Sequence, residues 1–221
     1  YRLRAVDTAG NDATVTADVH VDQTAPGDGA ITANGGQSWT AEANPLLAVT
    51  AFTDPASGLD GATEVLMRGS AAFSAGGGCS GAAYGNWTAV TITGGRDDVA
   101  GGLPEGCYRY QHAQADLAGN NASLTASIGV GRTGPTGGQV VVNSGEPTTE
   151  SPHPSVATTA FTDAGAGILS TSLKRFRGTW DGAQCTGYDG GYGVVLSGGA
   201  DAAALPEGCY RYDLTATDLS G

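Results

Sequence analysis

Two stretches of this chain are the same. Residues 103–110 read LPEGCYRY, residues 205–212 read LPEGCYRY again, and eight identical residues in a chain of 221 do not arise by chance. The likeness runs on past the final Tyr. Residues 110–120 read YQHAQADLAGN, residues 212–221 read YDLTATDLSG, and the chain opens on YRLRAVDTAGN at residues 1–11. The chain therefore holds three copies of one segment.

Other landmarks recur 109 residues apart. Ala51–Asp54 (AFTD) matches Ala160–Asp163, Gly58-Leu59 matches Gly167-Ile168, Met67-Arg68-Gly69 matches Phe176-Arg177-Gly178, and Thr24-Ala25-Pro26 matches Thr133-Gly134-Pro135. The spacing falls to 106 at Cys79 and Cys185, and to 102 at Cys107 and Cys209. Insertions and deletions thus fall between the paired cysteines, where a surface hairpin is expected. A unit of this length is too long for a helical solenoid repeat or a propeller blade, and it is the size of an immunoglobulin-like sandwich. The expected division is residues 1–22 as the last two strands of one copy, 23–131 as a complete copy, and 132–221 as a copy that stops before its final strand. On this reading the chain continues at both ends. The other way to complete both ends is exchange, with Asp12 to Asp22 of one molecule filling the place after Gly221 in another.

Composition agrees with an all-β chain. There are 37 Gly, and charged residues are 14% of the total. Short alternating segments broken by Gly, Pro, Asn and Asp are everywhere, and no apolar i, i+3, i+4, i+7 pattern lasts three turns. The net charge of −12 argues against a nucleic-acid partner, which requires a basic face, and against an anionic membrane surface. No apolar run is long enough to span a bilayer as a helix.

The repeated Tyr strand shows its inward face. One parity carries Tyr1, Leu3, Ala5, Asp7, then Tyr110, His112, Gln114, Asp116, then Tyr212, Leu214, Ala216, Asp218. That face is expected to be the core, with His112 and Gln114 at a rim or holding internal partners. Residues 47–52 with 156–161, 65–67 with 173–176, and 13–21 with 122–130 supply further strands. The closing strand runs into a short, stiff extended linker ending at Pro26.

The four cysteines sit one pair per repeat, which favours Cys79–Cys107 and Cys185–Cys209 over the cross-pairings. Metal ligation is the alternative, but no CxxC half-site exists. Two disulfides fit an oxidising compartment, at the cell surface or outside the cell. Cys107 has the parity of Arg109, opposite the Tyr face, so each bridge is expected to tie a surface hairpin to a strand's outer side.

The D-x-A-G-N turn (Asp7–Asn11 and Asp116–Asn120), followed by a strand and a T-x-P linker, resembles the bacterial Ig-like repeats found in tandem in large surface and secreted proteins, adhesins among them. The preceding G-C-Y-R-Y strand is similar to a cysteine-containing branch of that group. The resemblance covers the whole chain. It implies stalk and spacer roles, with neighbouring Ig-like repeats as partners. Some such relatives bind calcium through Asp residues at domain junctions. Here Asp22 precedes the first linker, but Gly131 and Arg132 stand at the second, so a repeated junction site is not expected.

Asp7, Asp116 and Asp218 open equivalent turns, where a carboxylate accepts backbone N–H bonds two residues on. Asp54 and Asp163 have the same reading, and Asp97-Asp98 reads as a solvated loop. Calcium is disfavoured because it requires six or more oxygens and no D-x-D-x-D-G cluster exists. His20, His112 and His153 fall at unrelated points and form no ligand set. Gly129–Gly134 matches G-x-G-x-x-G, but Pro135 follows and no helix does, so the dinucleotide reading fails. Tyr84 and Trp87 in one copy, and Trp180, Tyr188 and Tyr192 in the other, are candidate contacts for a carbohydrate or protein ligand. The plainer expectation is that these rings cover the sandwich end and the disulfides. No cofactor, metal or catalytic residue is expected. The function expected is a non-catalytic structural repeat in a stalk or filament shaft, with an adhesin binding module as the alternative.

Overall fold

A computed structural model describes residues 1–74 and 77–221. Its regular structure is β, with two short 3-10 turns at Asn34–Gly36 and Asn143–Gly145. No helix is long and apolar enough to cross a membrane among the described residues.

At the N-terminus β1 (Arg2–Val6) and β2 (Asp12–Thr16) form an antiparallel hairpin, with Arg2 opposite Thr16 and Val6 opposite Asp12. Tyr1, Leu3, Val6 and Val15 are all exposed on it.

The middle segment holds β3 (Ala30–Ala33), β4 (Trp39–Thr40), β5 (Leu47–Thr50), β6 (Val65–Ala71), β7 (Gly85–Ala89), β8 (Ile92–Thr93), β9 (Arg96–Asp97), β10 (Gly106–Ala115) and β11 (Asn121–Val130). Five of these make one sheet in the order β4-β11-β10-β6-β7, and β3 pairs with β5. The two sheets pack face to face. Ile31, Ala33 and Leu47 from the small sheet meet Tyr108, Tyr110, Ile128 and Val130 from the large one, with Leu103 closing the cluster. Each large side chain buried here contributes about 1.5–3 kcal/mol. The inward parity of β10 holds along its whole length: Tyr108, Tyr110, His112 and Gln114 are buried, as is Asp116 just beyond it. His112 lies inside and not at a rim, stacked on Phe52 at 4.7 Å between ring centroids, with Nε2 3.3 Å from the Glu64 carboxylate.

The C-terminal segment holds β12 (Gln139–Val142), β13 (Val156–Thr159), β14 (Ile168–Trp180), β15 (Cys185–Gly193), β16 (Leu196–Ser197), β17 (Ala200–Asp201) and β18 (Cys209–Asp218). The sheet order β15-β14-β18 reproduces β7-β6-β10, and β12 pairs with β13 as β3 does with β5.

Three expectations are corrected here. First, Asp97 is not a solvated loop residue: it is 1% exposed, and only Asp98 faces water. Its Oδ2 accepts from Tyr110 Oη at 2.8 Å and from Arg68 Nη1 at 2.5 Å. The same triad stands in the C-terminal segment, where Asp201 Oδ2 accepts from Tyr212 Oη at 2.8 Å and pairs with Arg175. Burial, then the bond to the carboxylate, pushes both tyrosine hydroxyls far above their ordinary pKa. Burial alone would raise the Asp201 carboxyl, but Arg175 and the Ala203 N–H hold it below its usual value.

Second, Arg68 corresponds to Arg175 and not to Arg177. Arg68 lies opposite Tyr110, and Arg175 lies opposite Tyr212. Third, the segments between the cysteines are more than surface hairpins. They supply β7 and β15, the edge strands laid on β6 and β14.

Candidate functional site

The structure gathers three carboxylates that the sequence keeps far apart. Asp22, Asp54 and Asp116 bring oxygens within 4.8 Å of one another where the first linker meets the middle segment. Each is also the anchor of a turn. Asp54 Oδ1 accepts from the N–H groups of Ala56, Ser57 and Gly58 at 2.8–3.0 Å. Asp22 accepts from Thr24 N at 3.0 Å and Ser57 N at 3.1 Å. Asp116 accepts from Asn120 N and Nδ2, both at 2.8 Å. The Asn120 amide reaches on to the carbonyls of Asp22 and Thr24, both at 3.3 Å, and so ties the linker to the turn.

Asp7 and Asp218 close their turns in the same way. Asp7 Oδ1 accepts from Ala9 N and Asn11 N, both at 2.9 Å, and Asp218 Oδ1 from Ser220 N at 2.9 Å and Gly221 N at 3.0 Å. Gly10 and Gly119 take φ of +90° and +94° in these turns, a region that a side chain disfavours. The Asn11 amide, then its backbone N–H, holds the Asp7 carboxyl below its ordinary pKa. At Asp116 burial works the other way, and the two Asn120 bonds outweigh it.

The trio at Asp22 is what sequence reasoning missed as a spatial cluster. A cation there would be held by the three carboxylates, but the neighbouring Asp22 and Thr24 carbonyls already accept from Asn120 Nδ2, which turns a donor toward the trio. No Lys or Arg pairs with any of the three among the described residues. The N–H donors already satisfy most of the carboxylate oxygens, so folding is expected to need no calcium. Thermal melts with and without EDTA should coincide. A fall of more than about 10 °C on adding EDTA would make the trio calcium ligands.

The second linker is held differently. The Glu105 carboxylate accepts from Arg132 N, from Thr133 N at 2.6 Å and from Thr133 Oγ1 at 2.9 Å, while Arg132 Nη2 donates to Leu103 O at 3.1 Å. The Arg132 N–H is the main cause of a Glu105 carboxyl held below the usual range. Beside it Gly78 N donates to Gly165 O at 2.8 Å, so the chain next to Cys79 touches the turn anchored by Asp163. Asp163 Oδ1 accepts from Gly165 N at 2.7 Å and Gly167 N at 2.9 Å. Gly131 occupies the place that Asp22 has at the first linker.

The disulfides are Cys79–Cys107 and Cys185–Cys209, and no cysteine is free. That pattern belongs to a chain that matures outside the cytoplasm. Cys107 lies on the outer parity of β10 but is fully buried, with Gly78 folded over it.

The aromatic candidates divide into two groups. Tyr84 lies under the Arg109 guanidinium at 4.2 Å, Tyr188 under that of Arg211 at 5.0 Å, and Phe176 shares Arg211 at 4.9 Å. Trp87 lies flat on Gly69, and Tyr188 on Gly178, so close that no side chain fits beneath either ring. These rings cover the outer sheet face. Trp180 and Tyr192 are each 63% exposed. Trp180 also lines a groove of about 570 Å³ with Tyr210, Tyr212 and the Cys185–Cys209 bridge. No family model matches the chain, and no curated protein matches it.

Proposed function

We propose that the chain is a non-catalytic extracellular structural protein, built of tandem immunoglobulin-like sandwiches that form a stalk or filament shaft. The observation that carries this reading is duplication of the fold's fixed points. Each of two consecutive units has a buried Tyr–Asp–Arg triad, a disulfide on the outer side of the Tyr strand and an Asp-anchored turn, and they are joined by a linker pinned through Glu105. Repeated units on short, braced linkers are what a spacer requires. Catalysis has no comparable support. Among the described residues, His112 and His153 turn their rings to Glu64 and to the Asp201 carbonyl, and not to a hydroxyl nucleophile.

Small-angle X-ray scattering tests the reading. A compact chain of this length has a radius of gyration of about 17 Å. Two units of about 13 Å set end to end, about 40 Å apart, give about 24 Å. The higher value is expected, unchanged between low and high salt. A value near 17 Å would end the shaft reading. The adhesin alternative rests on exposed Trp180 and Tyr192, and a glycan screen read by tryptophan emission would favour it if a sugar shifted the spectrum.

A further inference from the structure

The outer faces of the two larger sheets are built alike but charged differently. On each Tyr strand the arginine two residues after the cysteine lies over a tyrosine ring: Arg109 over Tyr84 at 4.2 Å and Arg211 over Tyr188 at 5.0 Å. In the C-terminal segment Asp213 neutralises that arginine, accepting from Arg211 Nε at 3.0 Å and Nη2 at 3.1 Å. In the middle segment Gln111 stands in the place of Asp213. Arg109 Nε donates to Ser127 Oγ at 3.3 Å, and among the described residues no carboxylate pairs with Arg109 and neither Nη atom has a partner. A chain with 22 acidic residues thus leaves this guanidinium without one.

An aromatic floor stands beside it. Trp87 lies flat on Gly69, where a Cβ would come within 2.8 Å of the ring. Gly69 is directly opposite Arg109 in the pairing of β6 with β10, so the seat of the ring and the arginine are cross-strand neighbours about 5 Å apart at Cα. One face of the indole rests on the glycine, yet 40% of Trp87 stays exposed. Gln111 follows Arg109 on the same face. Its Nε2 donates to Ser123 Oγ at 2.9 Å, which leaves Oε1 to accept. All these residues belong to the middle segment, away from both ends of the chain.

We propose that the outer sheet face at Trp87, Arg109 and Gln111 is a binding site for an acidic carbohydrate, a chain of uronic acid residues. A pyranose ring presents a face of C–H groups that covers an exposed indole and removes its apolar surface from water. The guanidinium fork takes a carboxylate through two parallel N–H···O bonds. Stacking on Tyr84 holds the plane of that fork in advance, so less freedom is lost on binding. A sugar hydroxyl donates to Gln111 Oε1. An acidic peptide brings the carboxylate without the flat ring, and a neutral sugar brings the ring without the charge. Only the combination uses Trp87 and Arg109 together. The C-terminal segment lacks the site, because Asp213 already occupies the Arg211 fork and repels a second carboxylate.

Titration calorimetry of the full chain with a short galacturonic acid oligomer is the test. Binding is expected at millimolar concentration or below, weakening as salt is added. A neutral galactose oligomer and an oligoglutamate of equal length should each bind at least about tenfold more weakly. Gln111→Asp is the deciding variant, since it copies an ion pair with which the C-terminal segment already folds. It should weaken binding at least about tenfold and leave the melting temperature unchanged. Trp87→Ala should weaken binding as much, and Arg109→Lys, which keeps the charge but not the fork, should weaken it several-fold. No heat of binding up to about 10 mM oligomer, equal binding of either control, or an affinity indifferent to Gln111→Asp overturns the proposal. The scattering profile of the unliganded chain is independent of all these outcomes, so failure here leaves the shaft reading standing.

Discussion

Replacing Asp97 by alanine is expected to lower the unfolding free energy of the middle segment by about 3–5 kcal/mol. The substitution removes the one acceptor shared by the Arg68 guanidinium and the Tyr110 hydroxyl. Arg68 is left mostly buried, at 15% side-chain exposure, with its remaining Thr88 contact at 3.2 Å on the exposed side. The carboxylate lies inside the sheet, where screening by water is weak, so the loss is not the small one of a surface pair. For a unit of this size the cost corresponds to a melting temperature lower by more than about 12 °C. The neighbouring Asp98→Ala is the control. Asp98 is exposed and, among the described residues, its side chain accepts only from Thr93 Oγ1 at 2.9 Å, so it should cost less than about 1 kcal/mol. Asp201→Ala should repeat the Asp97 result in the C-terminal segment, and Tyr110→Phe should cost about 1–3 kcal/mol. Calorimetry showing equal, small effects at positions 97 and 98 would remove the triad from the forces that hold the sheet.

The contrast between Asp97 and Asp98 also shows what the sequence makes legible. Alternation along the Tyr strand points to the buried side of β10, because a strand has only two faces and the aromatic residues take one of them. Asx turns were legible because an Asp and its Gly are local partners. The triad was not. Asp97 lies in a stretch of turn-forming residues, and its burial is decided by Arg68 and Tyr110, which come from other strands. The repeat did carry a signal, since Asp97 and Asp201 precede the two LPEGCYRY segments, but the arginines concealed it. β14 is irregular between Arg175 and Phe176 and again between Arg177 and Thr179, so matching Arg68 to Arg177 by letters misses the residue that faces Tyr212. The acidic trio was illegible for a similar reason. Residues 22, 54 and 116 each serve a local turn, and only the fold of the middle segment brings the three turns to one end. Insertions and deletions between the paired cysteines point to surface hairpins there, yet β7 and β15 pair along the free edge of a sheet that otherwise would be open there.

Removing either disulfide is expected to cost about 3.5 kcal/mol, since the bonds close loops of 28 and 24 residues. The two losses should nevertheless differ in where they are felt. Cys79–Cys107 pins the chain at Gly77–Cys79 to the outer side of β10, and that chain is what touches the next segment: Gly78 N bonds Gly165 O, and the Phe73 ring lies against Gly165. Cys79→Ser/Cys107→Ser should therefore do two things at once. It should lower the melting temperature of the middle segment, and it should free the second junction, leaving Glu105 as the main hold on the linker. Cys185→Ser/Cys209→Ser should destabilise the C-terminal segment by a similar amount and leave that junction unchanged. Hydrogen exchange separates the effects. In the first variant the Gly78 amide should lose protection under conditions where the amides of β10 and β11 keep theirs, and in the second it should not. Equal loss of Gly78 protection in both variants would mean that the junction is held without help from the bridge beside it.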